Sequence, residues 1–106
     1  MEDTSWVGMS DLEIISEIGK RLKFMRMAEN LTQQLLAEET GLNRSTIRDI
    51  ENGKPVNVQS LLPVFRRLDL LDQLDNSLPG EASNPVLAIK QKGRKRVKPS
   101  SKPRND

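Results

Sequence analysis

The chain has 106 residues, 35% of them hydrophobic and 30% charged, which suits one small domain and excludes a large core along its whole length. It contains no cysteine and no histidine, which excludes disulfides, iron–sulfur clusters and Cys-containing zinc sites and removes the commonest general base and transition-metal ligand. No metal or cofactor is expected, an enzyme is not expected, and no apolar run approaches the roughly 18–20 residues that span a bilayer.

Residues 1–9 show no periodicity and read as a flexible arm. The first ten carry acids where a secretory signal carries bases, so a soluble, cytoplasmic location is expected. Trp6 has two readings: it docks on a partner, or it covers the edge of its own core. A first helix starts at Ser10, which has capping-box spacing with Glu13, while Met9 and Ile14 are placed to form a hydrophobic staple. Leu12, Ile15, Ile18, Leu22 and Met25 then recur at three- and four-residue steps. The helix ends near residues 28–30.

Thr32 is a good N-cap for a second helix over 33–40, with Leu36 and Ala37 inward. Gly41 follows, where a helix end favours positive φ. Asn43 caps a third helix over 44–52 with Ile47 and Ile50 on one face; Gly53 stops it and Pro55 lies beyond. Asn57 can cap a fourth helix through Val58, Leu61, Leu62, Phe65 and Leu68. Pro63 either bends that helix or sits in the first turn of a later-starting one. A fifth helix over 70–78 ends at Pro79 and Gly80. The prediction is an all-α, five-helix domain over 10–78, followed by a mostly disordered basic tail over 79–106.

Two short helices joined by a tight turn at Gly41 have helix-turn-helix geometry, in which the second helix is free to enter a major groove. Leu22, Arg26, Thr32, Gln33, Leu36, Ala37, Gly41, Ser45, Thr46, Ile47, Glu51, Asn52, Gly53 and Leu68 together resemble the phage-repressor-like (Cro/cI, or XRE-type) helix-turn-helix family. The resemblance runs without a gap from about residue 18 to 71, with the motif over about 33–52. It implies a sequence-specific transcriptional repressor that binds double-stranded DNA.

Thr32 caps a helix start whose exposed N–H groups and dipole suit a phosphate, and the resemblance implies that Gln33 donates to that phosphate. With Ile47 and Ile50 facing the core, the third helix presents Arg44, Ser45 and Arg48 on its other side. The family likeness puts Arg44 and Ser45 at base edges, where Arg pairs with guanine in bidentate fashion. Arg48 is placed for either a base or a phosphate. Asn43, Thr46, Asn52 and Lys54 are expected on the DNA backbone, setting register. By the same likeness Arg26 and Glu51 form a partly buried structural salt bridge.

Three residues depart from the family pattern. Leu35 is apolar on the outer face of the second helix, as a partner contact or a local packing residue. Asp49 would repel phosphate unless paired with Arg44 or Arg48. Pro63 interrupts the fourth helix.

One recognition helix reads few base pairs, so a homodimer on a palindromic operator is expected. Leu70, Leu71, Leu74 and Leu78 give the fifth helix a stripe for that interface, or alternatively close the monomer's own core. Residues 1–89 hold nine bases and fourteen acids, a net of −5, whereas 90–106 hold eight bases and one acid, a net of +7. Such a run packs poorly and reads as an arm that attracts phosphate or an acidic partner, or as a solubilising tail. From Leu70 onward the Leu/Asp-rich helix, the apolar segment 85–89 and the basic run 90–98 resemble HipB-type antitoxins. That likeness implies an autorepressor with a HipA-like kinase toxin as partner for the C-terminal region. A stand-alone phage or plasmid-type regulator and a protein-interaction adaptor on the same fold are the competing readings.

Overall fold

A computed structural model describes residues 5–81. The apolar segment 85–89 and the basic run 90–98 lie outside the described residues, as does the start of the expected arm. The order is a 3-10 turn (Trp6–Gly8), then α1 (Asp11–Ala28), α2 (Gln33–Thr40), α3 (Arg44–Glu51), α4 (Val58–Arg67) and α5 (Leu71–Ser77). All five are helices, as the sequence periodicity requires. The chain divides into two units, Met1–Leu71 and Asp72–Asp106.

Local chemistry sets the boundaries. At α1 the Ser10 hydroxyl accepts from the Glu13 N–H (3.1 Å) while the Glu13 carboxylate accepts from the Ser10 N–H (2.8 Å), a complete capping box. Its far end closes at Asn30, φ 60°, with the Leu31 N–H reaching back to the Arg26 carbonyl at 3.1 Å. Asn tolerates this left-handed position better than most residues with a Cβ. Thr32 caps α2 by accepting from the Leu35 N–H at 3.0 Å. Gly41, φ 78°, ends α2 and turns the chain into α3 within three residues.

α4 starts at Val58 and carries Pro63 inside it. The helix therefore starts directly after Asn57 and does not restart at the proline, but the Asn57 side chain makes no capping bond to the backbone and accepts from the Ser60 hydroxyl instead. Pro63 has no N–H for the Gln59 carbonyl. The α4 end repeats the α1 solution: Asp69 takes φ 62° and the Leu70 N–H bonds the Phe65 carbonyl at 2.8 Å.

In the first unit Leu22, Leu31, Leu36, Ala37, Ile47, Ile50, Val64 and Leu68 form one buried cluster. Each of the four helices α1 to α4, and the α1–α2 turn, supplies at least one member, so burying this cluster fixes the helices together. Leu70, expected at a dimer interface, is half-buried against this core. In α5 no residue is fully buried, Leu71 and Leu74 are half-buried, and Leu78 just beyond it is 67% exposed.

Trp6, within the stretch read as an arm, lies in the 3-10 turn, half-buried, with the Arg21 guanidinium 4.9 Å from its ring centre. Among the described residues no helix is long and apolar enough to cross a membrane.

Candidate nucleic-acid interface

α3 has a sharply divided surface. Ile47 and Ile50 are 1% and 4% exposed. Arg44, Ser45 and Arg48 are exposed on the other side, Arg44 and Arg48 one turn apart. The division follows from helical spacing: with Ile47 and Ile50 in the core, Ser45 and Arg48 fall on the far side of the helix, while Arg44 is exposed in its first turn. Thr46 is half-buried at the edge of the exposed face.

Asn43 precedes α3 in an extended conformation, but its side chain makes no capping bond. That leaves the first N–H groups of α3 without a side-chain cap. After α3, Asn52 and Lys54 are exposed and Gly53 takes φ 81°. Asp49 does not pair with Arg44 or Arg48. Its carboxylate lies 3.8 Å from the Lys54 ammonium, so the two arginines keep their charge toward solvent and Lys54 carries the acid. α3 is short, and Lys54 returns over Asp49 because its N–H bonds the Asp49 carbonyl at 3.0 Å.

Behind this face is a buried ionic knot. Arg26 and Glu51 are each 7% exposed. Arg26 Nε donates to Glu51 Oε2 at 2.7 Å and Nη2 donates to Oε1 at 3.1 Å, while Nη1 donates to the Leu31 carbonyl oxygen. The bidentate fork joins α1 to the end of α3. Gln33 is a third member: its Nε2 donates to Glu51 Oε1 at 3.0 Å. A side chain amide has two N–H donors. Glu51 takes one, so the residue expected to hold phosphate is already anchored to the end of α3. Sequence reading paired Arg26 with Glu51 but missed this amide.

Two further features escaped the sequence. Arg67 of α4 bonds Glu39 of α2 and, at 3.0 Å, Glu29 just after α1. Hydrogen bonds to Glu39 and then Glu29 raise its guanidinium pKa further. These partners are far apart in sequence and share no periodic signal. The other is Gly19, a glycine within the amphipathic pattern of α1, which is buried where α1 meets α3. A lone glycine in a helix is itself a signal of close packing.

A helix-turn-helix domain family model matches residues 19–72, about half the chain. The chain belongs to this helix-turn-helix domain family, of the Cro/cI (XRE) kind. No curated protein matches it. The helix-turn-helix domain extends from the middle of α1 to the start of α5 and contains both the ionic knot and the exposed face of α3. It is a DNA-binding domain of the regulator class. Leu35, on the outer surface of α2 in this domain, is 38% exposed.

Proposed function

We propose that the protein is a sequence-specific transcriptional repressor that binds a palindromic operator as a homodimer. The observation that carries this reading is the divided surface of α3: Ile47 and Ile50 held in the core, Arg44, Ser45 and Arg48 turned outward. Arg44 and Ser45 occupy the first turn and meet base edges, with the Arg44 fork suited to guanine. Arg48, one turn on, extends that contact to a neighbouring base or a phosphate. Gln33, Asn43, Thr46, Asn52 and Lys54 hold the DNA backbone and set register. Leu71, Leu74 and Leu78 supply the apolar stripe of the dimer contact, with Leu70 at its margin.

Selection from a library of random duplexes tests the reading. An enriched motif with twofold symmetry supports it, and sedimentation of the complex gives two chains per duplex. Enrichment of no motif, with no footprint at low salt, favours a protein-interaction adaptor.

The Leu/Asp-rich fifth helix, the segment 85–89 and the basic run 90–98 favour a finer role, that of antitoxin and autorepressor beside a HipA-like kinase toxin. A pull-down of the tagged chain from its host, with and without nuclease, separates the cases. A kinase-like protein held after nuclease treatment supports the antitoxin role. Operator DNA alone, lost on nuclease treatment, leaves a stand-alone phage or plasmid-type regulator.

A further inference from the structure

At Gly19 the backbone of α1 closely approaches the backbone at the end of α3. A Cβ built on Gly19 would fall 2.2 Å from the Ile50 carbonyl oxygen and 3.1 Å from that of Glu51; real Cβ atoms essentially never show the first of these distances. One turn earlier on α1, a Cβ on Gly53 would lie 2.9 Å from the Ser16 Cα and 3.0 Å from its Cβ. Two turns beyond Gly19, Arg26 grips the Glu51 side chain. The last turn of α3 is thus pressed against α1 at Gly19 and tied to it at Arg26, and Gly53 just beyond α3 packs on Ser16.

From these contacts we infer that Gly19, with Gly53 and Ser16 beside it, is a specificity-determining positioning site: it sets the pose in which α3 presents Arg44, Ser45 and Arg48. The inference rests on the reading of α3 as the recognition helix. Its physical basis is leverage. Ile50 and Arg44 lie six residues apart, about 9 Å along the helix. Ile47, packed in the core between them, acts as the pivot. Relieving the clash that a Gly19 side chain makes requires a displacement on the order of 1 Å at the Ile50 end. A pivoted helix passes a comparable displacement to Arg44, enough to break a base-edge hydrogen bond of about 2.9 Å. Phosphate attraction is far less sensitive to such a shift, because it depends on charge over longer distances.

The test uses the full chain. A duplex motif is selected with wild-type protein, and affinities for that duplex and for a scrambled duplex of the same composition are measured at one salt concentration. Wild type, Gly19→Ala, Ser16→Val and Val64→Ala are compared at a temperature where circular dichroism shows each folded. Gly19→Ala and Ser16→Val are expected to lower the selected-to-scrambled affinity ratio about tenfold, with scrambled binding within about twofold of wild type. Val64→Ala opens a cavity in the core at α4 and is expected to lower the melting temperature while keeping the wild-type ratio.

A role confined to folding predicts instead that Gly19→Ala and Ser16→Val behave like Val64→Ala, and that result overturns the inference. Should Gly19→Ala not fold, the exposed Ser16→Val decides alone, since it crowds Gly53 from the α1 side. Failure of wild type to enrich any motif is a separate outcome: it removes the recognition-helix reading, and the positioning role with it.

Discussion

The Gln33 amide and the Glu51 carboxylate are 3.0 Å apart, and Glu51 also receives the Arg26 fork. One buried carboxylate therefore joins the start of α2 and the end of α3 to α1. Glu51→Gln keeps the shape but leaves the Arg26 charge in the interior without an anion. It is expected to destabilise the domain by about 3–5 kcal/mol, seen as a lower urea midpoint with little change in slope. A loss under about 1 kcal/mol would mean that the Leu31 carbonyl alone satisfies Arg26.

Gln33→Ala removes one hydrogen bond to a charged group and leaves the bidentate fork in place. The expected cost in stability is about 1–2 kcal/mol. On the proposed reading DNA affinity also falls, by similar factors for operator and random duplex, because a phosphate contact carries no sequence information. Filter binding on both duplexes checks this.

Arg44→Ala should act in the opposite way. Operator binding is expected to weaken by about 1–3 kcal/mol more than binding to random DNA, while thermal stability changes by less than about 0.5 kcal/mol because the side chain is exposed. Equal losses on both duplexes would place Arg44 on phosphate.

Much of this was legible in the sequence because local chemistry decides it. Ser10 with Glu13, Thr32, Gly41 and the isoleucine pair on α3 each carry their signal within a few residues, and the helices begin and end where those signals lie. The remainder depends on residues that meet only after folding. Asp49 pairs with Lys54 because the chain doubles back after α3, a path that helical spacing does not encode. Arg67 reaches Glu29 and Glu39 across three helices. Pro63 sits within α4, where propensity argues for a bend or a later start, because its neighbour Val64 is buried at 2% exposure and holds that turn in the core. Gly19 went unread within the amphipathic pattern of α1, because the α3 backbone that it meets lies some thirty residues away in sequence.

Gly41→Ala places a Cβ on a residue at φ 78° in open space. The cost is therefore conformational, about 1 kcal/mol, and DNA affinity measured well below the melting temperature should be unchanged. Gly41→Asn should cost less, since Asn enters the left-handed region more readily.

Deleting residues 90–106 removes eight bases and one acid. If that segment lies along DNA, the plot of log affinity against log salt flattens by about 0.9 for each phosphate that the segment neutralises. An unchanged slope would assign the segment to a protein partner, and the same truncation would then abolish recovery of that partner in the pull-down.

Trp6 is the chain's one tryptophan, and there is no tyrosine. Intrinsic emission excited at the red edge of the indole band thus arises from a ring stacked on Arg21 at the outer side of α1, outside the buried cluster of eight residues. Such a contact holds by only about 0.5–1 kcal/mol, far less than the cooperative core. The two optical signals consequently follow different events: the emission follows release of a single turn, while far-ultraviolet ellipticity follows melting of the helices. A fluorescence transition that precedes the ellipticity transition in this protein measures local detachment, and a stability derived from it alone describes the wrong equilibrium.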